Sequence, residues 1–268
     1  MAGLEEALRA RRDGGGRAFV PYVTGGLKGV DADLLRGLAE AGADAIEVGI
    51  PFSDPVMDGG VIQEASRLAL EAGTRPDDVL EVVREAGLDV PVAVMTYLNP
   101  VLRRGVEAFL REAAAAGVSG AIVPDLPVDE AAEVARSCRE AGVAPVLLAA
   151  PGSSTDRLRA IAGSAGGFVY CVATYGVTGE RESLAGTAQE LVSALRPLTD
   201  LPLLVGVGIG TPGQAAQACG FADGVIVGSA LVRHLVAGEL EAAIELARAF
   251  RVAIPVGGIS GRGSLRTH

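Results

Sequence analysis

The apolar positions of this chain gather in short blocks, and a single transition introduces many of them. A helix-like stretch ends in a small residue and a glycine, then passes at once into an apolar run. This occurs in AEAGADAIEVGI (39–50), REAGLDVPVAVM (84–95), AAAGVSGAIVPD (114–125), REAGVAPVLLAA (139–150) and QACGFADGVIVG (217–228). Gly42, Gly87, Gly117, Gly142 and Gly220 fall where a helix ends in a left-handed residue, a position glycine fills without steric cost. The runs that follow fit parallel strands covered on both faces. With the runs that lack the full signature, eight strands are predicted: 18–24, 45–50, 92–97, 120–124, 145–149, 168–173, 203–206 and 224–227. Helices are predicted at 31–41, 61–72, 77–86, 104–116, 129–141, 154–163, 187–196, 212–219 and 239–251.

Eight strand–helix units in about 250 residues match a single-domain (β/α)8 TIM barrel of the α/β class. A doubly wound open sheet is the alternative, but no unit carries the GxGxxG fingerprint of nucleotide binding. The barrel is expected over 1–252. Residues 253–268 lack periodicity and are expected to form a mobile tail.

Composition narrows the function. Of 268 residues 49% are hydrophobic, yet aromatics are only 4% and Trp is absent, so Ala, Val, Leu and Gly must fill the core. A formal charge of −10 argues against a nucleic-acid binder, which needs a basic face. It also gives no help in capturing an anion, so a phosphate site must rest on backbone geometry. Cys138, Cys171 and Cys219 are far apart with no CxxC, as in a protein of a reducing compartment. The N-terminal MAGLEEALRARRDGGG lacks the apolar stretch of a signal peptide. No apolar run approaches the ~20 residues of a membrane helix. A cytoplasmic location without membrane association is expected.

The segment DAIEVGIPFSDPVMDGG (44–60) breaks the apolar pattern. Glu47 shares a strand face with the small residues Ala45 and Gly49, while Ile46, Val48 and Ile50 take the other. The small-residue face suits the barrel interior. A carboxyl there loses solvation, its pKa rises, and it can hold and deliver a proton near neutrality. The alternative is a structural Glu paired with an Arg of a neighbouring strand, but the predicted strands contain no Arg or Lys. Asp58 lies in the loop after the same strand, where barrel active sites are built. It could equally cap the next helix. Asp54, in Ser53-Asp54-Pro55, reads as a local turn with its side chain bonded to backbone.

Two glycine-bearing turns, VGVGIGTPGQ (205–214) and VIVGSALV (225–232), follow strands seven and eight. Backbone N–H groups at such turns bind anions, and in this fold those two loops often hold phosphate. Gly208 and Gly228 would admit close backbone approach, and Ser229 could donate its hydroxyl. Glycine also serves plain turns, so each motif alone is weak. A third loop, ATYGVTGERES (173–183), contains Thr178 and Gly179 and could close over the same ligand as a lid.

Other chemistries lack their residues. The single lysine is Lys28, in a loop, so no strand offers a Schiff-base amine. The two histidines, His234 and His268, form no metal cluster and serve no nucleophile. Proton transfer by carboxylates remains, with Tyr97, Tyr170 or Tyr175 as possible helpers, on a neutral or aromatic body bearing a phosphate.

These segments resemble the tryptophan synthase alpha chain family. The resemblance is carried by IEVGIPFSDPVMDGGVIQ (46–63), FVPYVTGG (19–26), MTYLNPV (95–101), VPDLPVDEA (123–131), YGVTG (175–179) and VGSALV (227–232). It runs in order from about Phe19 to Phe250. It implies cleavage of indole-3-glycerol phosphate to indole and glyceraldehyde 3-phosphate by a retro-aldol reaction. It implies that Glu47 protonates the indole ring at C3 and that Asp58 holds the indole N–H. Tyr170 matches a tyrosine beside the catalytic carboxylates, and Tyr22 an aromatic flanking the indole pocket. Thr178, Gly179, Gly208, Gly228 and Ser229 fall in the phosphate-side loops. No cofactor is expected in this chain; pyridoxal phosphate is expected only in a partner beta chain, within an alpha2beta2 assembly. A stand-alone lyase, another phosphosugar-binding barrel isomerase and a non-catalytic subunit are the competing readings. The chain departs from the usual family pattern at GGLKG after strand one, at Gly60 where proline is common, and at Thr174 where some members carry arginine.

Overall fold

The computed structural model describes residues 3–173 and 181–257, without the side chains of 181–185. Eight parallel strands close into a barrel in chain order, and the last returns to pair with the first. They are β1 (Ala18–Thr24), β2 (Ile46–Gly49), β3 (Val92–Met95), β4 (Val118–Ile122), β5 (Ala144–Ala149), β6 (Val169–Val172), β7 (Leu203–Gly206) and β8 (Gly224–Val227). Every residue of β1, β2, β6, β7 and β8 is buried, as strands enclosed by helices outside and side chains inside must be. The helices are α1 (Leu4–Asp13), α2 (Ala32–Glu40), α3 (Gly60–Glu71), α4 (Pro76–Ala86), α5 (Leu98–Arg104), α6 (Val106–Ala115), α7 (Ala131–Glu140), α8 (Thr155–Ser164), α9 (Arg181–Leu195), α10 (Pro212–Ala218), α11 (Ser229–Val236) and α12 (Leu240–Ala253).

The repeated helix-to-strand transition has its physical cause in the backbone. Gly42, Gly87, Gly117 and Gly142 all take positive φ, which turns the chain sharply from helix into strand. Gly220 does not; the chain leaves α10 with its N–H bonded to the Gln217 carbonyl at 3.0 Å.

Four elements depart from the pattern-based expectation. β4 runs two residues earlier than 120–124. A register shift beside Val92 and Ala93 lets Val118 pair with Val92 while Gly120 pairs with Ala93. β3 stops at Met95, short of Tyr97, because the Asp125 carboxylate takes the Leu98 N–H at 2.8 Å and starts α5 there. That short helix was not expected; Gly105, at φ 88°, separates it from α6. Nor was α1, which closes the base of the barrel. Its Leu4 and Leu8 are buried, and a Cβ on Gly120 of β4 would collide with the Leu4 side chain.

The base is pinned by two equivalent aspartates. Asp44, leading into β2, accepts the Phe19 N–H at 2.9 Å. Asp223, leading into β8, accepts the Leu203 N–H at 2.8 Å. Asp44 also pairs with Arg11 of α1 at 2.6 Å and Arg251 of α12 at 2.8 Å, so one buried carboxylate joins both ends of the chain to the barrel. Residues 253–257, placed in the tail by their lack of periodicity, belong to this base. Ile254 is buried, the Pro255 carbonyl accepts the Arg17 N–H at 2.7 Å, and Val256 bridges Gly16. The rest of the expected tail, 258–268, lies outside the described residues.

Candidate active site

Glu47 stands in the middle of β2, level with Tyr22 on β1 and Ala93 on β3. It faces the barrel interior. Its charge acts on Tyr170 of β6, and β2 and β6 lie on opposite walls of the barrel, so both side chains must point inward. Two strand glycines make room for the phenols. A Cβ on Gly49 would collide with the Tyr22 hydroxyl, and one on Gly206 would collide with the Tyr170 hydroxyl. Such strand glycines mark a close approach rather than a turn.

The Glu47 carboxyl is 1% exposed, and its Oε2 has no hydrogen-bond partner among the described residues. The expected rival, an ion pair with a neighbouring strand, is not what surrounds it. Burial, and then the nearby charge of Asp58, push its pKa up from an ordinary 4.5 to about 8. The group therefore carries a proton at neutral pH. Asp58 is also raised, by burial, but only to about 6, because hydrogen bonding from Tyr97 offsets part of the cost. Two carboxyls that share a pocket with separated pKa values divide into a proton donor and an anion. Tyr22 and Tyr170 are raised well above their ordinary range, chiefly by burial, and stay neutral.

Asp58 is not a helix cap: the N-cap of α3 is Gly59, without a side-chain cap. The loop that carries Asp58 is built on itself and on Tyr97. Its N–H bonds to the Pro55 carbonyl at 3.1 Å, and its carbonyl accepts from Gln63 at 2.8 Å. The Tyr97 hydroxyl accepts the Met57 N–H at 3.0 Å, and the Tyr97 ring stacks on Phe52 at 5.2 Å. Asp54 does not bond backbone as expected; its carboxylate accepts the Ser53 hydroxyl at 2.6 Å and faces solvent.

The phosphate-side residues follow β7 and β8, which are neighbours. Gly208 is exposed with φ 97°, and Val207 before it takes a φ of 64° that β-branched residues avoid. Gly228 caps α11 and Ser229 begins it, so the first N–H groups of that helix have no partner within it. A Cβ on Gly228 would touch Tyr22 and Ile62 at 3.5 Å, which sets this turn beside the tyrosine. Glu47, Asp58, Tyr22 and Tyr170 thus converge at the mouth, with the Gly228 turn on their β8 flank. Thr178 and Gly179, like Thr174 and Tyr175, lie outside the described residues. Among the described residues no group of three or more His, Cys, Asp or Glu is placed to hold a metal ion.

Comparison with known proteins decides the family. The model of the tryptophan synthase alpha chain matches residues 8–253. The chain belongs to the tryptophan synthase alpha chain family. A relative from Halorhodospira halophila is 46% identical over 259 residues, covering 95% of this chain and 94% of its own. One from Carboxydothermus hydrogenoformans is 45% identical over 236 residues, covering 87% and 88%. Both carry the name tryptophan synthase alpha chain. Among solved structures, a tryptophan synthase chain of Mycobacterium tuberculosis superposes with TM-score 0.86 at 40% identity, covering 95% of this chain and 98% of that one. The alpha subunit from Legionella pneumophila gives 0.84 at 34%, covering 94% and 98%.

Within the family frame, the close approach of the phenols to Gly49 and Gly206 and the part Tyr97 takes in the Asp58 loop were not read from the sequence. The two glycines end β2 and β7, where a glycine also reads as the start of a turn. Tyr97 had no signal, because its partners Phe52, Met57 and Asp58 meet it only through the barrel's closure.

Proposed function

We propose that Glu47 and Asp58 divide the chemistry of this lyase, one working on ring carbon and the other on ring nitrogen. As a tryptophan synthase alpha chain, the protein cleaves indole-3-glycerol phosphate to indole and glyceraldehyde 3-phosphate in tryptophan biosynthesis, in partnership with a beta chain. The reaction breaks the bond from indole C3 to the adjacent carbinol carbon. Protonated Glu47 donates to C3, which makes the ring an indolenine cation and an electron sink. The Asp58 carboxylate holds the N–H as positive charge grows there. The Glu47 carboxylate then takes the carbinol hydroxyl proton, the carbon–carbon bond breaks, and its electrons return to the ring. Indole leaves, and the carbinol carbon becomes the aldehyde. The ring is its own sink, so the step draws on no lysine and no metal.

The observation that carries this reading is the pairing of a carboxyl near 8 with one near 6 at the same barrel mouth. Tyr22 and Tyr170 wall the ring pocket, and the backbone of Gly208, Gly228 and Ser229 takes the phosphate; the family resemblance assigns Thr178 and Gly179 to the same ligand. Pyridoxal phosphate belongs on this reading to the beta chain; the single lysine, Lys28, is an exposed residue of the β1–α2 loop. Exposed Val56 and Met57, in the loop that carries Asp58, suit a protein partner at the mouth, and an alpha2beta2 assembly is proposed. Among the described residues no helix is long and apolar enough to cross a membrane, and we place the enzyme in the cytoplasm.

Glu47→Gln, assayed for indole release with the beta chain present, is expected to lose about a thousandfold or more in turnover, the upper range of general acid–base catalysis. Turnover within a few-fold of the parent enzyme would remove Glu47 from the mechanism.

A further inference from the structure

We propose that Tyr97 is a positioning residue for the cleavage: its ring and hydroxyl hold the loop that sets the Asp58 carboxyl at the mouth. This deepens the proposed function and rests on Asp58 being the group that holds the ring nitrogen.

The geometry converges on one side chain. Tyr97 is 2% exposed and sits between β3 and α5, where it is the N-cap residue. Its neighbour's N–H is fixed by Asp125, so the backbone at this point is tethered on both sides. The ring stacks on Phe52 with centroids 5.2 Å apart, and the hydroxyl oxygen accepts the Met57 N–H at 3.0 Å. Both ends of the segment leading to Asp58 therefore lean on Tyr97. A phenol oxygen that accepts an N–H still has its own proton to give. The next residue along the loop is Asp58, whose carboxyl the phenol draws back toward the anion.

The surroundings leave this donor without a substitute. Acting with Asp58 at the mouth are Glu47 from β2, Tyr22 from β1, Tyr170 from β6 and Tyr97 itself. Tyr97 also faces Asp125, from the β4–α7 loop. All are acids or phenols, and among the described residues no basic side chain offsets the burial of either carboxyl. Hydrogen bonding from Tyr97 is the influence that draws Asp58 back toward the anion. If Tyr97 only filled space, phenylalanine would serve equally, since it keeps the ring and its stack on Phe52.

The test is the pH dependence of kcat/KM for indole release from indole-3-glycerol phosphate, measured on the complex with the beta chain. The acid limb of this profile reports the free enzyme's Asp58. Tyr97→Phe is expected to move that limb up by about one pH unit, since a hydrogen bond to an ionised group is worth about tenfold or more. The loss should be about fivefold near pH 6, approach tenfold below pH 5 and largely vanish near pH 8. Replacement of Tyr97 by 3-fluorotyrosine, a stronger donor of the same shape, should move the limb down, and this variant decides the matter if the phenylalanine variant does not fold. An acid limb unmoved in either folded variant overturns the role of Tyr97. Asp58→Asn separates the two levels. If it is severely impaired while Tyr97→Phe leaves the limb in place, the positioning role fails and the proposed function stands. If Asp58→Asn keeps full activity, the proposed function fails and this inference with it.

Discussion

Glu47 is costly to the fold in its ionised form, the form that cannot begin the reaction. Below its ordinary pKa of 4.5 the carboxyl is protonated in folded and unfolded chains alike. Above 4.5 the unfolded chain loses the proton, while the folded chain keeps it to about 8. The unfolded state then binds fewer protons, so stability falls across that window and stays lower above it. Glutamine is neutral throughout and escapes this penalty. Glu47→Gln is therefore expected to raise Tm little at pH 4.5 and by about 5 °C or more at pH 8. Thermal melts at the two pH values check it; a pH-independent difference contradicts the burial argument. The same substitution that removes the reaction should thus stabilise the protein, the trade expected of a group held in an unfavourable place for its function.

At the scale of elements, the loop after β7 carries the clearest backbone strain. Val207 takes a φ of 64° between two glycines and is 45% exposed, so it gains little burial in return. A left-handed non-glycine residue costs roughly 1–2 kcal/mol, against about 0.4–1 kcal/mol of added chain entropy when glycine replaces it. Val207→Gly is expected to raise stability by up to about 1 kcal/mol, read from the urea midpoint at constant m-value. A clear loss of stability would mean that Val207 is held by packing rather than strained.

Elements also show where sequence is legible and where it is not. The strands and the helix ends could be read because their cause is local: an apolar run, and a glycine needed for positive φ at Gly42, Gly87, Gly117 and Gly142. The shift of β4 could not, because it depends on a register irregularity against β3. Helix α1 was opaque for a related reason. Its two buried leucines have meaning only once a barrel exists for them to plug. At the site, Glu47 could be singled out as a charge within an apolar strand. The partition of pKa values between Glu47 and Asp58 depends on distances across the mouth, and the pattern along the chain does not encode them.

For the whole molecule, chemistry and stability occupy opposite ends of the barrel, as this fold commonly arranges them. The base holds Asp44 with Arg11 and Arg251, an ion network that ties α1, α12 and the strands together. Burial pulls the pKa of Arg251 down, and the Asp44 charge opposes that. Removing that charge leaves partly buried guanidinium groups unpaired. Asp44→Asn is expected to cost about 3 kcal/mol in urea unfolding, while kcat for indole release at 20 °C and below stays within about twofold because nothing at the mouth is touched. A collapse of kcat in folded Asp44→Asn protein would break this separation of base from mouth. The loop bearing Asp58 also exposes Val56 and Met57, so the surface proposed for the beta chain and the group proposed for the ring nitrogen share one short segment.

The central claim is that the barrel mouth keeps Glu47 protonated at neutral pH. The most direct measurement is a carbon-13 NMR titration of the glutamate side-chain carboxyls, with the Glu47 resonance assigned by its loss in Glu47→Gln. The account predicts a midpoint near 8 for that resonance. A midpoint near the ordinary 4.5 would contradict it, since the group would then reach the substrate with no proton to give.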